Sequence, residues 1–254
     1  MKKFIHTLKK KADKDDPKSL NELAFEYYAG KNIKKNNKLA VKLWLKSAKQ
    51  KYPMAYYNLG YMYYNGFGVT KNIKKAIYYH ELSCKIEHKY QTTSLFWLAY
   101  NIYLNKISGK PNIKKGLKYL EESAKRNLVN AQWFLSLFYK NGKVSYQDQQ
   151  DPKKKVHEYK IKVNKAKTIK YLKMASINNF IPATSLLASC YINGFGVKKD
   201  YTTAYVLLDS IKFSNNSKMI SSMTLTQEDK KYLKKTIINQ KKRVLYLLNK
   251  LKKK

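Results

Sequence analysis

Cysteine occurs only twice in this chain, at Cys84 and Cys190, with no CxxC pair and no metal-ligand spacing around either. That argues against a disulfide framework and a zinc site, and two lone thiols suit a reducing compartment, so a cytoplasmic setting is expected. Acidic residues are scarce as well: 16 Asp and Glu stand against 53 Lys and Arg, a formal net charge of +37. Such a chain should seek anionic partners, although the Lys, Asn, Ile and Tyr bias of AT-rich coding would give a lysine-covered surface on its own. Long apolar runs are missing too. None approaches the ~18 residues of a membrane span. Residues 1–16 set basic side chains around a short Phe4, Ile5, Leu8 cluster without the continuous apolar stretch of an export signal; delivery into another cell by a different route stays open. Hydrophobic residues still make up 44% of the 254, enough for a sizeable core.

Catalytic signatures are equally thin. The four histidines, His6, His80, His88 and His157, are scattered, and no nucleophile motif surrounds either cysteine. Gly-x-Gly loops are present, but no strand precedes them and no Lys-Ser/Thr follows at phosphate-loop spacing. A turn is the expected role, and neither an enzyme nor a bound cofactor or metal is expected.

What the sequence does contain is a repeat. Ala55, Leu59, Gly60, Tyr63 and Gly66 recur in type as Ser19, Leu23, Ala24, Tyr27, Gly30; as Ala131, Leu135, Ser136, Tyr139, Gly142; and as Ala183, Leu187, Ala188, Tyr191, Gly194. A weaker copy runs Ser94, Leu98, Ala99, Ile102, Asn105. The copies start at 19, 55, 94, 131 and 183, a period in the high thirties with an insertion before the last, which is the mark of a helical solenoid. Offsets of four and eight put the marked residues on one helical face, with a small residue where two helices approach closely. This is helix A. Small residues eight apart, Ala40 and Ala48, Ala76 and Cys84, Gly116 and Ala124, mark a second helix B in the first three repeats. Asp16 before Pro17 predicts a capped helix start, with Pro53 and Pro182 placed comparably. The glycines near the ends of the A helices predict left-handed stops.

Asn65-Gly66-Phe67-Gly68-Val69 and Asn193-Gly194-Phe195-Gly196-Val197, each leading through a polar loop into helix B, resemble the Gly-x-Gly-Val loop of Sel-one-like repeats. The resemblance covers residues 17–212; it is strong in repeats two and five, while repeats three and four keep both helices but lack the loop. It implies an all-α fold, a right-handed solenoid of about five antiparallel helix pairs related to tetratricopeptide arrays and used as an adaptor or scaffold. In such arrays the inner surface is lined by helix A positions beside the packed Leu and Tyr. Carried over, that gives a groove of Phe25, Tyr28, Tyr57, Tyr61, Tyr64, Phe96, Tyr100, Tyr103, Trp133 and Leu137 for a protein or peptide segment, an acidic one given the charge. Many of these aromatics could equally pack between neighbouring A helices.

Lysine pairs recur between the helices, Lys34 and Lys35, Lys74 and Lys75, Lys114 and Lys115, Lys198 and Lys199, and would form a basic rim. An aromatic groove beside a basic rim also suits single-stranded RNA or DNA, the alternative partner. Residues 145–163 interrupt repeat four and are expected as a solvated loop or helix extension, so that no sheet is expected anywhere. Residues 213–254 are a linker and a long basic amphipathic helix with Leu233, Ile237, Val244, Leu248 and Leu251 on its apolar side. It is expected to cap the solenoid, and its lysines could alternatively meet nucleic acid or acidic lipid.

Overall fold

A computed structural model describes residues 2–99, 112–146, 157–211 and 227–252. The elements in order are α1 (Lys2–Ala12), α2 (Pro17–Ala29), α3 (Asn37–Lys49), α4 (Pro53–Asn65), α5 (Ile73–Lys85), α6 (Gln91–Trp97), α7 (Ile113–Lys125) and α8 (Val129–Asn141). After these come β1 (Lys143–Tyr146), β2 (His157–Lys160), α9 (Lys165–Ile177), α10 (Ile181–Asn193), α11 (Tyr201–Asp209) and α12 (Gln227–Lys252). The predicted A helices are α2, α4, α6, α8 and α10, and each is followed by its B helix. The chain divides into two compact units, residues 1–122 and 123–254. No helix among the described residues is long and apolar enough to cross a membrane.

Helix boundaries follow local chemistry. Asp16 accepts the Ser19 amide at 2.7 Å ahead of Pro17. Pro53 likewise opens α4, whereas Pro182 is the second residue of α10; the residues capping these two helices, Tyr52 and Phe180, make no side-chain capping bond. The four A-helix glycines, Gly30, Gly66, Gly142 and Gly194, all have left-handed backbones. A second periodic device was not read from the sequence. Each B helix starts on a short polar side chain, Asn36, Asn72, Asn112, Asn164 or Asp200, that accepts the backbone amide three residues on. Four of these caps also donate their own amide to the carbonyl of the preceding repeat tyrosine: Asn36 to Tyr27, Asn72 to Tyr63, Asn164 to Tyr139 and Asp200 to Tyr191. The cap thereby clips helix B to helix A of its own repeat.

In the first unit α2 packs on α3, α4 on α5, and α3 on α4, around Ala24, Val41, Trp44, Ala55, Leu59, Met62 and Ala76. The predicted small positions Ala24, Ala40, Ala48 and Ala76 are all buried. Residues 2–12, read from sequence as a basic segment, form a helix that sets Ile5, Leu8 and Ala12 inward. Asn21, buried on α2, accepts both the Trp44 indole N–H at 3.1 Å and the Asn58 amide at 2.9 Å, tying three helices together. Asn21→Leu should therefore lower stability by about 2 kcal/mol, because it strands a buried indole donor. Guanidinium denaturation measures this; a loss under about 0.5 kcal/mol would mean that water or another acceptor takes the place of Asn21.

The Gly-x-Gly loop is a turn with a packing role. Gly68 has φ +71, and a Cβ there would stand 2.4 Å from the Asn37 carbonyl group at the start of α3. Gly196 likewise lies against Lys165 and Ile169 of α9. Each loop rests on helix B of the preceding repeat, which is why a side chain is excluded.

The insertion departs from expectation. β1 and β2 pair antiparallel with Lys143 opposite Lys160 and Val144 opposite Tyr159. Ile161 donates its amide to the Gly142 carbonyl, and Val144 is fully buried. A short ladder thus stands where a loop or helix extension was expected; four-residue strands are too brief to show a two-residue period among lysines. In the second unit α8 packs on α9, α10 on α9 and α11, and α12 on α11 and α10.

Candidate protein-binding surface

Two of the predicted groove residues lie one turn apart on α2, Phe25 and Tyr28, and three lie at four- and three-residue steps on α4: Tyr57, Tyr61 and Tyr64. Leu59 and Tyr63 point to the core, so these three share a different face of α4. The structure brings Phe25, Tyr28 and Tyr61 together. Ring centroids are 6.2 Å apart for Phe25 and Tyr28 and 6.1 Å for Tyr28 and Tyr61, the latter edge-on. The Tyr28 hydroxyl donates to that of Tyr61 at 3.4 Å. That bond, followed by burial, pushes the Tyr28 phenol up to about 12. The track continues to Phe67, whose ring lies 6.0 Å from Tyr61. Phe25, Tyr61 and Phe67 are all exposed. Phe67 was not anticipated as a surface residue; the signal was the aromatic held between two glycines, repeated at Phe195.

The remaining candidates sit differently. Tyr57 stacks on Tyr90 at 4.8 Å and meets His80 edge-on at 5.7 Å, and burial pushes its phenol up. Tyr64 stands edge-on to Trp97 at 4.9 Å. Phe96 on α6 is half-buried, and Tyr100 and Tyr103 lie outside the described residues. Trp133, in the second unit, packs against Phe180 at 5.5 Å, with Leu137 half-buried.

Beneath Tyr57 lies a buried polar relay. His80 is fully enclosed, its ring stacked on Trp97 at 4.1 Å. Its Nδ1 is 3.5 Å from Ser94 Oγ, and its Nε2 has no hydrogen-bond partner. Ser94 Oγ is 2.8 Å from Ser83 Oγ, which lies 2.9 Å from His88 Nε2. Burial drives His80 down to about 3 and also lowers His88.

Of the rim lysines, Lys34, Lys35, Lys74, Lys75, Lys114, Lys198 and Lys199 are exposed, while Lys115 is half-buried and pairs with Glu81 at 3.4 Å. Several ammonium groups lie over tyrosine rings: Lys35 over Tyr28 at 5.8 Å, Lys75 over Tyr63 at 5.2 Å, Lys71 over Tyr64 at 5.7 Å. Lys74, Lys75, Lys114 and Lys115 occupy the first turn of their helices, where the helix dipole disfavours a cation. Neither cysteine forms a disulfide; Cys190 is buried, which pushes its thiol up. Among the described residues no three His, Cys, Asp or Glu side chains cluster as a metal site would require.

A family model for the Sel1 repeat matches residues 17–52, 53–88, 93–128, 129–154 and 181–210. No curated protein matches the chain. Among solved structures, that of a Sel1 repeat protein from Oxalobacter formigenes shares 23% identity over 77% of this chain and 72% of that one, with a TM-score of 0.60. A protective antigen present in uropathogenic Escherichia coli strains, displaying an SLR fold, shares 15% identity over 95% of this chain and 63% of its own, with a TM-score of 0.49. The likeness to the Oxalobacter protein shows a common fold.

Proposed function

Because the chain belongs to the Sel1-repeat family, an all-α solenoid class whose repeats mediate protein–protein interactions, we propose that it is a non-enzymatic scaffold that captures an acidic segment of another protein. The observation that carries this reading is the contiguous aromatic track in which exposed Phe25, Tyr61 and Phe67 are joined through half-buried Tyr28. Rings offer large contact area at small rotamer entropy, and the tyrosine hydroxyls add hydrogen bonds. Lys34, Lys35, Lys74 and Lys75 stand ready for carboxylates along the same unit. Tyr57 and Tyr64, backed by Tyr90 and Trp97, extend the surface as rigid walls, and Phe96 of α6 is a further candidate. Trp133 and Leu137 form a separate candidate in the second unit. A cytoplasmic setting fits two cysteines outside any disulfide.

Selection of a random peptide library on the protein tests the proposal. Peptides rich in Asp, Glu and apolar anchors should be enriched, and Phe25→Ala combined with Tyr61→Ala should weaken them at least about tenfold, or 1.4 kcal/mol, with little change in melting temperature because both side chains are exposed. Equal binding by the variant would remove the track from the reading. Lysines over tyrosine rings also favour a second ligand, single-stranded nucleic acid. Tight oligonucleotide binding that falls steeply with salt, and that the same two substitutions abolish, would put that ligand first.

A further inference from the structure

Helix α12 has two working faces, and capping explains one of them. Ile237 and Val244 are buried against α10 and α11. Gln240 bridges Ser185 and Ser189 of α10 at 2.9 and 2.7 Å, and Lys241 pairs with Asp209 at 3.0 Å. Away from the docked face lie apolar side chains that this docking does not use, Ile238 and Leu245 on one flank and Tyr232 and Tyr246 on the far side, exposed at 43%, 43%, 74% and 66%. Lys231, Lys234, Lys235 and Lys242 alternate with them, and no Asp or Glu occurs between residues 231 and 251. Charge alone does not set this helix apart, since α1, α3 and α9 also carry at least four lysines and no acid. Its exposed apolar surface does: α1 and α9 each expose one large hydrophobic side chain, Phe4 and Ile177, and α3 none, whereas α12 exposes five.

The geometry points to an anionic phospholipid surface as the ligand of this outer face. Ile238 and Leu245, seven residues apart, lie on one side about 10.5 Å from each other, with Tyr246 beside them. Laid flat on a bilayer, they reach the boundary between headgroups and acyl chains, where tyrosine is also at home. The lysine stems lie along the same apolar layer while their ammonium groups stay with the phosphates. Interleaved aliphatic and cationic side chains suit a deformable surface. A folded partner would need carboxylates and pockets in matching register, and nucleic acid would leave Ile238 and Leu245 without a role. The packed face holds the helix in place, so its outer face is presented without further ordering.

Sedimentation of the full chain with vesicles at about 0.15 M salt tests the assignment. Binding to phosphatidylcholine vesicles containing about 30% phosphatidylserine should exceed binding to phosphatidylcholine alone at least about tenfold. Two variants with wild-type circular dichroism and melting temperature should each lose most of it: Lys234→Gln/Lys235→Gln/Lys242→Gln and Ile238→Gln/Leu245→Gln/Tyr246→Gln. No preference for the anionic vesicles would overturn the assignment. So would a lysine variant that fails while the apolar variant binds normally, since attraction would then be purely electrostatic. Binding of a single-stranded oligonucleotide that the apolar variant loses, with no vesicle binding, would reassign the face to nucleic acid.

Discussion

Gly60→Ala should destabilise the protein by about 2 kcal/mol, although alanine inside a helix is ordinarily favoured over glycine by about 1 kcal/mol. Gly60 lies in the interior of α4, and a Cβ there would stand 2.6 Å from two atoms of the His80 ring and 2.9 Å from a third. That ring cannot retreat, being fully buried, stacked on Trp97 and edged by Tyr57. The clash therefore outweighs the gain in helix propensity. Urea denaturation of Gly60→Ala, His80→Ala and the double variant provides the check: the pair should be less damaging together than the sum of the two, by at least about 1 kcal/mol. A Gly60→Ala protein as stable as the wild type would mean that α4 and α5 slide apart at little cost.

Mild acid should weaken the fold through the same histidine. An unfolded histidine takes up a proton near pH 6.5, whereas burial keeps His80 neutral down to about 3. Between those values the unfolded chain binds more protons, so stability is fully present above about pH 6.5 and declines as pH falls, by up to about 1.4 kcal/mol per unit. His88, lowered in the same direction by burial, adds to the slope. Chemical denaturation at pH 7.0, 6.0 and 5.0 should show a progressive loss, flattened in His80→Gln and flatter still with His88→Gln added. The carboxyls of Asp16 and Asp200, held low by the Ser19 and Thr203 bonds, contribute only at more acidic pH. An unchanged slope in the double variant would place the acid sensitivity elsewhere.

The repeat was readable because its information is local. Leu59 and Tyr63, four residues apart, declare one face of one helix, and Gly66 declares its end; neither inference needs a neighbouring element. The same holds for Asp16 with Pro17, and for the small residues at 40 and 48 that seat helix B. The run of caps from Asn36 to Asp200 was equally local and could have been found by extending the Asp16 argument to each helix B. Leu251 shows the limit within α12: its periodicity matches Ile237 and Val244, yet it is exposed, because a side chain is buried only where a neighbouring helix lies alongside.

The aromatic face required the packed molecule. Phe25, Tyr57, Tyr61 and Tyr64 look alike in the sequence, all beside the core positions of an A helix. Their fates diverge because Tyr90 and Trp97, from the next repeat, stand against Tyr57 and Tyr64, whereas the Tyr61 ring meets Tyr28 and the loop residue Phe67 and stays exposed. The burial of His80 against Gly60 likewise appears only once α4 and α5 are packed together. Helical periodicity assigns a residue to a face, but the rings and backbones that cover that face come from positions about one repeat away, and their registration is set by how helices pack rather than by spacing along the chain.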